Sequence, residues 1–372
     1  MAKTRVAIAC QGGGSETAFT AGALKALCES DVADEIDVVS ISGTSGGAVC
    51  AALIWYAAVK GERPIWRRLI DFWKDNTAQN WAEKTFNQII IESLRMVNKG
   101  RVPAFQVSPA SPWVKTMLQL ATIGQRPEFT DFAVLLDRYI DSAEIAGWGA
   151  RPDRPVLIIG AANVSSGKLS KFISTQEPIR LEHILASCAV PTVFPAVQIG
   201  KHAYWDGLFS DNPPIAVLIH AASVGAENIP EEIWLIKINP TACSKVPVLT
   251  SQIVDRRNQL EGNISLFQQI GQLEVLNELL LAGAFCPEYL ARIDVKAPIR
   301  VPKCFATEPD KPYHIPCIEM ADDLHETLDY ESKIDRGARN IGHLMDEGER
   351  SARRFLAERA ARVKAQPTEV RH

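Results

Sequence analysis

The sequence has no CxxC pair, no long apolar run and little net charge. Its 8 cysteines (Cys10, Cys28, Cys50, Cys188, Cys243, Cys286, Cys304 and Cys317) are scattered, mostly in apolar stretches. That suits free buried thiols in a reducing compartment better than a disulfide framework or a zinc site. The longest apolar run, 46–59, falls short of the roughly 18–20 residues that cross a bilayer, so no transmembrane helix is expected. With 40 Lys+Arg against 44 Asp+Glu the formal charge is −4, and no global field points to a nucleic-acid partner. The first ten residues, Met1 to Cys10, imitate a lipoprotein signal, but their apolar core is shorter than the roughly 7–15 residues such a signal needs. They read as a first strand. The 47% of hydrophobic positions in 372 residues suffices for a large core or two smaller ones.

Val6 to Cys10 is a continuous apolar run closed by Gly12, Gly13 and Gly14, and an Ala/Leu-rich stretch from Thr17 to Leu27 follows: strand, glycine loop, helix. The unit repeats with Ile36 to Ile41, a glycine-flanked serine at Ser45, and an apolar helix from Gly46 to Val59. Two successive βα units predict a parallel sheet covered by helices. From Gly61 to about Gly149 the pattern turns amphipathic and helical, rich in Trp and Phe and interrupted by Pro103, Pro109 and Pro112. Strands resume at Val156 to Ile159, in a hairpin through Asn163 to Ile173, and at Ile233 to Ile238. Two long helical patterns, near Ser251 to Ala284 and Lys333 to Ala365, flank a Pro-rich stretch at Pro298 to Pro316.

Gly43-Thr44-Ser45-Gly46-Gly47 fits G-x-S-x-G, in which small neighbours let a strand turn sharply into a helix with the serine exposed at the bend. The helix start lends N–H groups and a positive dipole end to a developing negative charge. Strand-to-helix turns also use Gly and Ser with no chemistry, so the pattern alone leaves both readings open. The loop Gly12-Gly13-Gly14 opens at the same sheet edge and offers bare N–H donors for an oxyanion, each contributing roughly 3–4 kcal/mol in other enzymes. Its rival is a dinucleotide loop, but the third glycine position is Thr17, and Ser40 and Ser42 end the second strand where a ribose-binding acid is expected. As proton acceptor, His314, His325 and His343 occur late, none in a recognisable strand-end loop. Asp206 stands instead in Asp206-Gly207, followed by the non-helical Asn212-Pro213-Pro214; the bland alternative there is a common Asp-Gly turn.

Taken together and in this order, these segments resemble the patatin-like phospholipases. That family has a glycine-rich oxyanion loop after the first strand, a G-x-S-x-G elbow after the second and a later D-G-[GA] motif. Ala186-Ser187-Cys188-Ala189-Val190-Pro191-Thr192-Val193-Phe194-Pro195 resembles its A-S-x-A-x-P-x-x-F-P segment. The likeness covers about residues 5–215. The sequence departs at Gln11, at Glu16 and Thr17, where a basic residue and a last glycine are common, and at Leu208, the third position of D-G-[GA].

The resemblance implies a three-layer α/β/α fold with a mainly parallel central sheet. The expected division is a hydrolase domain over 1–240 with a helical insert at about 61–150, then a mainly helical C-terminal extension over 241–372. It implies a Ser-Asp dyad of Ser45 and Asp206 without histidine, an oxyanion hole at Gly12, Gly13 and Gly14, and an elbow shaped by Gly43 and Gly47. No metal and no cofactor are expected. The substrate class is lipid acyl esters. A thioesterase or polyester depolymerase would use the same dyad, and a lipid-binding scaffold is the non-catalytic alternative. The expected location is cytoplasmic with peripheral membrane contact, through amphipathic stretches holding Trp55, Trp66, Trp73, Trp81 and Trp113, whose bland reading is core packing. Glu16 is expected at the mouth of the site, where it disfavours anionic head groups.

Overall fold

The computed structural model describes residues 3–102, 111, 116, 119–191, 193–292 and 315–365. Among the described residues eight strands form one sheet: β1 (Thr4–Cys10), β2 (Ile36–Thr44), β3 (Val156–Asn163), β4 (Leu169–Ile173), β5 (Val197–Ile199), β6 (His202–Asp206), β7 (Glu232–Lys237) and β8 (Cys317–Glu319). The pairs β3–β2, β2–β1, β1–β7 and β7–β8 are parallel. Side chains alternate across each strand, so Val6, Ile8 and Cys10 enter one core while Ala7 and Ala9 enter the other. Burial on both faces is why β1, β3 and β7 read as unbroken apolar runs.

β3 forks the sheet. One edge carries β4; the other carries β2 opposite Val156 to Gly160 and then β6 opposite Ala161 to Asn163. β6 continues into β5 by an antiparallel turn. β2 and β6 therefore meet end to end along β3.

The helices are α1 (Ala18–Glu29), α2 (Gly46–Val59), α3 (Arg67–Asp75), α4 (Trp81–Asn98), α5 (Phe132–Tyr139), α6 (Leu181–Ser187), α7 (Thr250–Leu281) and α8 (Ala338–Ala365), with shorter turns between. One layer holds α1, α2, α3 and α8; α7 and the turns around Ile215 to Val224 cover the opposite face. The outcome is the three-layer, mainly parallel α/β/α arrangement. α1 and α8 cross at backbone contact: a Cβ on Gly22 would lie 1.9 Å from the Met345 carbonyl oxygen, and one on Gly348 2.0 Å from that of Phe19.

The last third returns to this core. β8 extends the sheet beyond β7, the Trp234 and Phe355 rings meet at 5.2 Å, and Arg359 pairs with buried Glu232 at 2.8 Å. The tryptophans of the expected interfacial stretches mostly pack inward. Trp55 is buried against Trp148, Trp73 is buried on Cys50, and Trp66 is half-buried under Lys25. Trp81 alone of the described four is open, at 81% exposure, and Trp113 lies outside the described residues. Among the described residues no helix is long and apolar enough to cross a membrane.

Candidate active site

β2 ends at Thr44 and α2 starts at Gly46, so the reversal of direction falls on Ser45. Ser45 has φ 54° and ψ −131°, and it is the one non-glycine residue at positive φ among the described residues. Such a backbone costs about 1–3 kcal/mol and persists only where its surroundings enforce it. Two glycines permit the bend: a Cβ on Gly43 would lie 2.4 Å from the Gly47 carbonyl oxygen, and one on Gly47 2.3 Å from that of Cys10. Ser187, at the end of α6, enforces it. Its hydroxyl accepts from the Ser45 N–H at 2.9 Å and donates to the Gly160 carbonyl at 2.6 Å. Ser187 was visible in the sequence only as part of the A-S-x-A segment, with no sign of this contact.

Asp206 ends β6 and is fully buried. Its Oδ1 accepts from the Leu208 N–H at 2.7 Å, while Oδ2 has no partner of full hydrogen-bond geometry. Burial raises its pKa from 3.8 to about 7, against the opposing pull of the Leu208 N–H and of the Ser45 hydroxyl. The serine hydroxyl is thus among the groups that favour the ionised carboxylate, and Oδ2 is left as an acceptor without a partner. Leu208 contributes through its backbone, so its larger side chain does not disturb the contact. The chain beyond is fixed by Thr44, whose hydroxyl donates to the Asp211 carbonyl at 2.6 Å, and by the Lys171–Asp211 ion pair at 2.6 Å.

The glycine loop lies against this elbow. A Cβ on Gly12 would sit 2.8 Å from that of Ser45, so any side chain there would strike the serine. The Gly12 N–H donates to Asn212 Oδ1 at 2.7 Å. Among the described residues, the Gly13 and Gly14 N–H groups donate to no protein acceptor. Gln11, next to them, is a buried hub: its Oε1 accepts from the Ile238 and Asn239 N–H groups, and its Nε2 donates to Asn263 Oδ1 at 2.9 Å and to the Gly262 carbonyl at 3.2 Å. A carboxylate there could not make the donor half of that set. Thr17 has a local task as well, donating to the Gly14 carbonyl at 2.5 Å.

Glu16 does not stand at the mouth of the site. It is buried, accepts from the Ser332 hydroxyl and pairs with Lys333 at 2.8 Å, and Lys333 also donates to Asn239 Oδ1 at 3.0 Å. It lines a small pocket together with Pro240, Asp255, His325, Leu328, Tyr330 and Lys333. The expectation that its charge meets lipid head groups fails because the charge is spent inside the fold. His325 lines that pocket, His343 is exposed on α8, and His314 lies outside the described residues. Buried His183 stacks on Phe172 at 4.0 Å, and its pKa falls to about 4 through burial. Among the described residues no histidine bonds to Ser45 or Asp206 and no group of three or more His, Cys, Asp or Glu is placed to hold a metal.

Residues 8–219 match the patatin-like phospholipase family. The chain belongs to that family. It is accordingly a lipid acyl hydrolase in the general sense the family carries. Among solved structures, the crystal structure of VipD from Legionella pneumophila aligns with 12% identity and a TM-score of 0.35, over 92% of this chain and 67% of that one. A search of curated proteins finds no significant match.

Proposed function

We propose that the chain is a serine acyl hydrolase of lipid esters, of phospholipase A or lysophospholipase type, working through a Ser45–Asp206 dyad. The observation that carries this reading is a serine strained at the elbow together with a fully buried carboxylate that keeps one oxygen without a partner and whose pKa the serine hydroxyl lowers against burial. Ser45 Oγ attacks the ester carbonyl carbon as its proton passes to Asp206. The carbonyl becomes an oxyanion, held by the Gly13 and Gly14 N–H groups and the positive start of α2. Collapse breaks the bond to the alcohol, which leaves with the proton from Asp206, and an acyl-serine remains. Water then attacks that ester, giving its proton to Asp206. The fatty acid leaves and the proton returns to Ser45.

A carboxylate with a pKa near 4 is a weak base; one raised to about 7 is matched to neutral solution. The Gly12 N–H joins the oxyanion hole only if it exchanges Asn212 for the substrate. Labelling with a fluorophosphonate probe, in wild type and in Ser45→Ala, tests the nucleophile. Loss of labelling in the variant supports the reading. Equal labelling in both proteins would place the nucleophile at another residue, and no labelling in either removes the reading in favour of a lipid-binding protein without turnover. The peripheral association and cytoplasmic location expected from the sequence belong to this same proposal.

A further inference from the structure

α7 carries its polarity in reverse for a helix packed on a globular domain. Its buried face presents Asn263, Gln269 and Asn277 beside Leu266 and Leu273, while Ile253, Leu260, Ile264, Phe267 and Val275 are exposed. These exposed residues fall on one stripe of the helix, about 33 Å long at 1.5 Å per residue. The stripe continues into a lead-in where Val246 and Val248 are 84% and 77% exposed and Leu249 is open as well. An apolar surface of this extent on a folded protein marks an interaction site.

We propose that this face docks on a lipid surface, a proposal that rests on the lipid-ester reading of the active site. Two observations favour lipid. First, the inner face of α7 grips both active-site loops: Gly262 and Asn263 accept from Gln11, Gly262 also accepts from Asn212, and the Ser265 hydroxyl accepts from the Asn212 N–H. A bilayer seated on the outer stripe lies one helix away from the loop that flanks Ser45, where its lipids are substrate. Second, Lys245 and Arg257 are exposed at the same end as the valines, whereas the exposed acids Glu274 and Glu278 lie toward the other end of the helix, so the end that holds the valines is the one that meets the lipid. Arg257 stands within the stripe, paired with Glu261 at 3.0 Å. A bilayer lets such side chains reach phosphate groups while their stems stay in the apolar zone. A second copy laid along the stripe would bury that charged pair at a desolvation cost.

The test is flotation of the full chain with vesicles of three parts phosphatidylcholine to one part phosphatidylglycerol. Wild type and Ser45→Ala float equally. The double variants Ile264→Asp with Phe267→Asp, and Val246→Asp with Val248→Asp, lose about tenfold or more in vesicle partition. They keep wild-type hydrolysis of a water-soluble short-chain ester and lose hydrolysis of vesicle lipid. Wild type that stays with the soluble fraction, or variants that still float, overturn the proposal. So does a light-scattering result in which the variants convert a dimer to a monomer while flotation is unchanged. Absence of soluble-ester turnover in wild type would instead count against the hydrolase reading, and flotation is scored without it.

Discussion

Thr44 and Asp206 pair with consecutive residues of a single strand: Thr44 lies opposite Gly160 of β3 and Asp206 opposite Ala161. The strand that delivers the nucleophile and the strand that delivers the carboxylate thus abut on one template. Gly160 must be small for this, since a Cβ there would lie 2.8 Å from Thr44 Oγ1, and Gly207 likewise, at 2.4 Å from the Gly160 carbonyl. More than 160 residues separate Ser45 from Asp206 in sequence, yet their relative position is set by adjacent backbone hydrogen bonds.

Ser45→Ala and Asp206→Asn are each expected to abolish ester hydrolysis with the fold retained, and the double variant is expected to be no worse than either single. Residues that act as a unit lose activity non-additively. Steady-state rates on one ester check this. Asp206→Asn with near-wild-type turnover would remove the aspartate from the mechanism. Thermal melts separate the backbone effect: Ser45→Gly should be more stable than Ser45→Ala by about 1 kcal/mol, because glycine tolerates φ 54°.

The raised pKa of Asp206 gives a pH dependence of definite sign. The base must be ionised, so kcat/KM should rise with pH through about 7 and then level. For stability the sign is opposite to that of an ion-paired carboxylate. The folded state holds this proton more tightly than the unfolded chain, so stability falls as pH climbs from about 4 to about 7 and stays lower above. Asp206→Asn should abolish that fall and melt higher than wild type at pH 8, with a gain of up to ~4 kcal/mol. Melts at pH 5 and pH 8 decide it; an equal gain at both would show that the carboxylate is not held protonated by burial.

The layers were legible in the sequence because β1, β3 and β7 are buried on both faces and leave unbroken apolar runs. β5, β6 and β8 were not, since strands of three to five residues leave no periodicity to read. Within the site, Ser45, Asp206 and the glycines announce themselves through short motifs whose backbone demands are severe. Ser187, Asn212 and Gln11 do not, because their tasks depend on partners 27 to 252 positions away. The charge of Glu16 was visible and its partner was not: Lys333 lies 317 residues on.

Ser187→Ala should reduce kcat with little change in KM. The substitution strips the partner from the buried Ser45 N–H and the donor from the Gly160 carbonyl. Leaving buried groups unpaired costs about 1–3 kcal/mol each, so a stability loss of a few kcal/mol is expected as well. Because Ser187 acts through the nucleophile's backbone, the pH profile should keep its midpoint. A changed KM with normal kcat would place Ser187 against substrate instead.

Glu83 provides a control for pH effects away from the site. It caps α4, accepting from the Gln79 and Asn80 N–H groups, and pairs with Arg126 at 2.8 Å. Burial works to raise its pKa, but the Arg126 guanidinium and the backbone donors outweigh it and hold it at about 2. Its contribution is therefore complete above about pH 4.5 and is lost as pH falls toward 2. Glu83→Gln should lower the melting temperature at pH 7 and narrow the gap to wild type at pH 2 to 3. A constant gap across that range would show that the loss is one of packing.

Glu16 offers the sharpest contrast between a sequence expectation and a structural one. A charge at the mouth would set the preference between anionic and zwitterionic esters; a charge buried against Lys333 sets the position of the glycine loop. The second follows from the geometry, since Gly14 presses on the same residue: a Cβ there would lie 2.1 Å from the Lys333 carbonyl oxygen. Glu16→Arg places two cations in a nearly closed space, and removing one partner of a buried pair already costs roughly 3–5 kcal/mol. The partial exposure of Lys333 brings the expected loss toward ~3 kcal/mol. Activity should then fall on every ester alike, with the anionic-to-zwitterionic rate ratio unchanged at low and high salt. The exchange Glu16→Lys with Lys333→Glu restores opposite charges and should recover part of both stability and rate. A rate ratio that moves with Glu16→Arg and collapses in salt would put the side chain in reach of the substrate and refute the buried-pair account.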